Sequence, residues 1–148
     1  LEALGGDPYF EVRRAAATTL GDQVTPGDLQ AEESLIAALD DTAPSVVTAA
    51  LGALGQIGSS GERLLPCLRR FYVHADWQFR QQTVIALDRL LQRHVIHGNE
   101  IADDLDVILA TSPHFEPAFP LKRSLDDLAI RVRTHMTPDG SRRAGAGG

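Results

Sequence analysis

Asp7-Pro8-Tyr9-Phe10-Glu11-Val12-Arg13-Arg14-Ala15-Ala16-Ala17-Thr18-Thr19-Leu20-Gly21 returns in this chain as Asp41-Thr42-Ala43-Pro44-Ser45-Val46-Val47-Thr48-Ala49-Ala50-Leu51-Gly52-Ala53-Leu54-Gly55. The Asp, the Val, two Ala, the Leu and the Gly recur at a constant offset of 34. A weaker third copy, Phe79-Arg80-Gln81-Gln82-Thr83-Val84-Ile85-Ala86-Leu87, follows at an offset of 33. A fixed period of this length marks a stack of repeated units, each burying its apolar face on its neighbours rather than in one central core.

Each copy reads as a helix. Val12, Ala15, Ala16, Thr19 and Leu20 fall at i, i+3, i+4, i+7 and i+8, and Val46, Ala49, Ala50, Ala53 and Leu54 repeat the stripe. Phe79, Thr83, Ala86, Leu87, Leu90 and Leu91 continue it. Gly21 and Gly58 follow the first two as helix-end signals.

Partner helices are expected between these. Thr25-Pro26-Gly27-Asp28 has the form of a capping box with proline at the first helical position, opening a helix with Leu35, Ile36 and Leu39. Ser59-Ser60-Gly61-Glu62 does the same for Arg63 to Phe71, and Asn99 reads as the cap of a third. The unit is therefore helix, short turn, helix; we call the partner helices A and the repeated ones B. The expected units are 1–24, 25–58, 59–97 and 98–136, the last an atypical cap with a proline-rich loop from Ser112 to Pro120 and a helix from Leu121 to Met136. Residues 137–148 have no apolar period and read as a disordered tail. Only Leu1 to Gly6 precede the first Asp, too few for a first A helix, so the chain reads as a portion of a longer array.

Composition agrees with an all-α array. The chain has 148 residues, 43% of them hydrophobic and only 5% aromatic, which suits helix packing through Ala, Leu and Val. The single cysteine, Cys67, excludes an internal disulfide framework and points to a reducing, cytoplasmic setting. No apolar run reaches the roughly 20 residues a spanning helix needs, so no membrane role is expected. Arginine outnumbers lysine 13 to one, a coding bias of GC-rich genomes more than a functional choice.

These residues resemble HEAT repeats, in particular the short bacterial type named for phycobilisome lyase subunits. In that pattern Asp stands in the turn within the repeat, and Val-Arg with small residues opens the B helix. Asp7, Val12, Arg13, Ala15 and Ala16 match it; the second unit has Val47 where Arg is usual, and the third has His74 at the Asp position with Phe79-Arg80 for Val-Arg. The resemblance covers Leu1 to about Ile96 well and Gly98 to Met136 loosely. It implies a right-handed α-solenoid of about four hairpins, acting as a scaffold or adaptor, with the A helices on the convex surface and the B helices on the concave one. It also implies that Arg13 and Arg80 bond acidic turn residues, and that Trp77 packs at the start of a B helix.

No catalytic constellation emerges. His94 and His97 stand at i, i+3 near a helix end, with no Cys or further His close by, so a solvated terminus is the simpler reading. The His-Glu pairs by which HEAT-fold hydroxylases hold metal are missing. Cys67 reads as a small hydrophobe. Gly52-x-x-Gly55-x-x-Gly58 lies on an apolar helix without a preceding strand, unlike a phosphate-binding loop. No enzyme activity, cofactor or metal is expected.

Charge points to a binding face. The formal net charge is −6. The acidic excess falls on the A helices (Asp28, Glu32, Glu33, Asp40, Glu100, Asp103, Asp104, Asp106), and the B helices carry a basic excess (Arg14, Arg80, Arg89, Arg93, Arg131 and others). An acidic peptide or protein would be steered to the B face. The expected contacts are Arg14, Arg80, Arg89 and Arg93, with Val47 and Thr48 as a neutral patch between the charged ends. Nucleic acid, as in HEAT-like DNA glycosylases, is the less favoured ligand because the chain is acidic overall. A structural role within a larger enzyme is the third reading.

Overall fold

The computed structural model describes residues 9–74, 76–111 and 119–134. Seven helices, and no strand, occur among the described residues: α1 (Phe10–Gln23), α2 (Leu29–Ala38), α3 (Pro44–Ile57), α4 (Gly61–Arg69), α5 (Trp77–Gln92), α6 (Gly98–Thr111) and α7 (Phe119–Thr134). The odd-numbered helices are the B helices. They stack side by side in the order α1, α3, α5, α7. The A helices α2, α4 and α6 form the second layer. The architecture is an all-α solenoid.

Small residues set the spacing of the B row. A Cβ on Gly21 would lie 2.8 Å from the Cα of Ala53, and one on Gly55 would lie 2.8 Å from the Cα of Ala86. Backbones therefore meet almost directly, as only glycine allows. The A helices meet chiefly through long side chains. Arg63 Nη1 reaches Glu32 at 3.5 Å, Arg70 reaches Asp40 at 2.7 Å, and Arg69 reaches Asp104 at 3.0 Å.

Helix starts differ from expectation in a consistent way. Asp28, not Thr25, caps α2, accepting the N–H of Ala31 at 3.0 Å; Thr25 to Gly27 is a turn with Gly27 at φ +101°. Ser60, not Ser59, caps α4, its Oγ accepting the N–H of Arg63. Asn99 lies inside α6, where Glu100 instead reaches back to accept the N–H of His97 at 2.7 Å. The last helix begins at Phe119 rather than Leu121. Gly21 does not end α1 but lies within it, because its role is close packing. At the end of α5, His94 takes the left-handed conformation (φ 63°), with its own N–H to Leu91 O at 3.0 Å and that of Val95 to Leu90 O at 2.9 Å. That pair of bonds is a Schellman closure. The expected first turn at Asp7, the loop at 112–118 and the tail at 137–148 lie outside the described residues.

The largest departure concerns α1. Four of the five residues of its expected inner stripe face outward: Val12 is 64% exposed, Ala15, Ala16 and Thr19 are exposed too, and Leu20 packs against the core. Ala17 and Gly21 are the buried residues of α1. In α3 the same stripe is covered, because α1 and α2 both pack against it.

Candidate functional site

Three B helices present their free sides as one surface. Arg14, Thr18 and Asp22 follow one another at i, i+4, i+8 on α1, and Thr48, Gly52 and Gln56 occupy the equivalent places on α3. Between them runs a groove of 320 Å³ lined by Arg14, Thr18, Thr48, Gly52, Gln56 and Gln82 among others. A second groove of 390 Å³ shares Gln56 and reaches Arg89 and Arg93. The Thr18 and Thr48 hydroxyls donate to the carbonyls of Arg14 and Ser45, each at 3.1 Å, which leaves oxygen lone pairs to accept. Gln56 Nε2 donates to Asp22 Oδ1 at 3.3 Å.

The residues expected to bind a partner divide into three groups. Arg14 and Thr48 both line the first groove. Arg14 is paired with Glu11 at 3.0 Å, both side chains well exposed. Arg89 and Arg93 line the second groove, and each has donors engaged by carbonyls of the preceding repeat. Arg89 Nη1 donates to Gly52 O at 3.4 Å; Arg93 donates to Gly55 O at 2.9 Å and to Gly58 O at 2.7 Å. The Gly52-x-x-Gly55-x-x-Gly58 run thus serves as a line of uncovered carbonyls for two arginines of the next B helix. Burial pulls the Arg93 guanidinium below its ordinary pKa, and the charge of Glu32 opposes that shift.

Val47 and Arg80 form the third group, and for them the expectation fails. They are 3% and 2% exposed and line neither of these grooves; the small exposed edge of Val47 lies elsewhere, beside Leu39 and Phe79. Val47 packs in the core with Leu39 and Phe79, as a β-branched residue on a covered helix does. Arg80 is the most voluminous of the fully buried side chains, and burial lowers its pKa against the opposing charge of Asp76. Trp77 is half-buried against the core at the first position of α5.

The charge map changes accordingly. Glu32 is fully buried, where it accepts the Ser59 hydroxyl and faces Arg63. It therefore adds nothing to an acidic exterior. On the B row, Arg13 bonds Asp41 through two contacts, Nε to Oδ2 at 2.7 Å and Nη2 to Oδ1 at 3.0 Å. Asp41 also accepts the Ala43 N–H at 2.8 Å. This is an Arg–Asp rung between successive repeats, and the Arg13 hydrogen bond holds the Asp41 carboxyl below its ordinary value. Arg131 is bonded to Asp88. Much of the basic excess on the B helices is thus turned inward, and Arg14 is the cation best placed on the groove.

Gln56, Gly52 and Thr18 complete the groove and were not singled out by charge or apolar periodicity. The usable signal was the repeat register, since positions 14, 18 and 22 and positions 48, 52 and 56 coincide at an offset of 34. Among the described residues no grouping of His, Cys, Asp and Glu has the form of a metal site, and no helix is long and apolar enough to cross a membrane.

No curated protein and no solved structure matches the chain. The family model for HEAT repeats does, over residues 1–88. HEAT repeats generally mediate protein–protein contact or scaffolding. With more than half of the sequence matched and helices stacked at the period the sequence declares, the chain belongs to the HEAT-repeat family.

Proposed function

We propose that the chain is a non-enzymatic, cytoplasmic protein-binding module that takes an extended acidic segment of another protein along its B-helix face. The observation that carries this reading is the pair of adjoining grooves along α3, one reaching Arg14 and the other Arg89 and Arg93. Hydroxyl and amide groups between the basic ends suit an extended backbone, which offers donors and acceptors at every residue. Arg14 is available for exchange. An exposed pair such as Arg14–Glu11 is worth about 0–1 kcal/mol, so a carboxylate of the partner replaces Glu11 at little cost. The guanidinium groups of Arg89 and Arg93 keep their charge while bonded to carbonyls, and they extend the attractive field along the groove.

The test is photo-cross-linking in a lysate of the source cells, with a photoreactive residue at Thr48 or, as a control on the A layer, at Ser34. The expected product is a nuclease-resistant protein adduct from Thr48, none from Ser34, and loss of the adduct in Arg14→Glu and Gly52→Trp variants. An adduct that nuclease removes would transfer the reading to nucleic acid. Adducts from Ser34 alone, or none from Thr48, would remove the B face from consideration.

A further inference from the structure

The Arg–Asp rung that ties the first repeat to the second does not recur between the second and third. Both members are missing together: Val47 stands at the position equivalent to Arg13, and His74 at the position equivalent to Asp41. A guanidinium arm has been replaced by an isopropyl group. At that same place, between the turn after α2 and the turn after α4, a slot of 390 Å³ remains. Its floor is Leu39, Val47, Phe71 and Phe79. Phe71 and Phe79 pack edge to face with centroids 5.7 Å apart, and the His74 ring lies 4.6 Å from that of Phe79.

The slot is electrically neutral. Both carboxylates near it are already in short pairs, Asp41 with Arg13 and Asp40 with Arg70, each at 2.7 Å. Arg70 also lies over the Phe71 ring at 5.1 Å from its centroid. A cation entering the slot would meet the Arg70 guanidinium, and an anion would lie against aromatic faces of the wrong sign. Among the described residues the rim carries the Thr42 hydroxyl and the His74 ring, and the ring's direction is fixed. His74 Nδ1 accepts the N–H of Asp76 at 3.0 Å, so in the neutral ring the proton is on Nε2.

We propose that this slot is a binding site for an uncharged apolar side chain of leucine or phenylalanine size, carried by an extended partner segment whose backbone carbonyl accepts the Nε2 proton of His74. The site shares no lining residue with the B-helix grooves and does not rest on their function. The repeat comparison defines the occupant: it takes the space of the missing arginine stem, without the charge that Asp41 receives one repeat earlier.

The test is an NMR titration of the full chain with N-acetyl-leucine methylamide, N-acetyl-phenylalanine methylamide and N-acetyl-arginine methylamide, each up to its solubility. The two apolar probes are expected to shift the amide signals of Thr42, Phe71 and His74, and to leave those of Thr18 and Gln56 in place. The arginine probe is expected to leave all of them in place. Val47→Arg, which refills the slot from within, is expected to weaken the apolar probes by about tenfold or more. His74→Ala keeps the floor and removes the donor, with an expected loss of about threefold. Should Val47→Arg fail to fold, Val47→Met fills part of the same space and carries the same expectation. A response to the arginine probe alone would make the slot a vacant guanidinium seat and overturn the proposal. Unchanged affinity in the filled variants, or no shift with either apolar probe, would overturn it as well.

Discussion

Along the B row Gly21 lies against Ala53 and Gly55 against Ala86, whereas across the A row Arg63 reaches Glu32, Arg70 reaches Asp40 and Arg69 reaches Asp104. One layer is joined by contact so close that a methyl group does not fit. The other is joined by flexible arms ending in charges. Close packing is short-ranged and insensitive to salt, while exposed ion pairs are weak, screened and tolerant of displacement. The two layers of one array therefore differ in how much each junction is worth and in what disturbs it.

The largest effect is expected where packing is closest. Gly55→Leu forces α3 and α5 apart and should cost about 3 kcal/mol, read as a lower midpoint in chemical unfolding. A loss below about 1 kcal/mol would mean that the B row adjusts more easily than its glycines imply. Next is Glu32, an A-helix residue that is fully buried among Ser59, Arg63 and the charge of Arg93. Glu32→Ala should cost about 2–3 kcal/mol, because polar groups built around a buried carboxylate lose their acceptor. This variant sharpens the contrast, since it asks whether burial or layer membership decides the cost.

The Arg13–Asp41 rung comes third. Asp41→Asn should cost about 1–2 kcal/mol, allowing for the part-exposed arginine. The Arg13 hydrogen bond holds the folded-state pKa of Asp41 below the ordinary value of 3.8, so the contribution is fully present above that value. It is lost as the pH falls through the folded pKa. Melting temperature followed from neutral pH into acid should fall more steeply in the parent chain than in Asp41→Asn. The smallest effect is expected at Arg70→Ala, about 0.5 kcal/mol or less, since its pair with Asp40 is half-exposed or more at both ends. The difference from the parent should vanish in molar salt; persistence there would show that Arg70 acts through its contact with Phe71 instead.

The fold was legible because the period was. A 34-residue repeat with an apolar stripe fixes helix type, number and stacking partner before any contact is known. What it did not fix is which face of a given copy is covered. Helices α1 and α3 carry nearly the same stripe, yet α3 buries eight residues and α1 buries two. Burial is a property of neighbours, and α1 has none among the described residues on its Val12 side. The site was legible only in part for a related reason. Charge counting pointed to the B face, but it could not distinguish a guanidinium aimed at solvent from one aimed at a carbonyl. Arg89 and Arg93 turn to α3 because glycines there leave carbonyls bare, and Arg80 is covered outright. Helix starts erred where two residues competed as caps; at Thr25 and Ser59 the residue nearer the helix won, because a cap must reach the second or third amide of the first turn.

The glycines of the B row also have a mechanical consequence. A stack fastened along one edge by rigid contact and along the other by side-chain tethers behaves like a fan, with its pivot line on the fastened edge. Bending changes the separation of α2, α4 and α6 first, stretching pairs such as Arg69–Asp104 while the α1–α3–α5 spacing stays constant. The outer edge is then the more yielding one, and its exposed pair Arg70–Asp40 is the part that salt is expected to weaken. A partner segment seated in the B-row grooves, as proposed, would meet a surface held in shape by those close contacts.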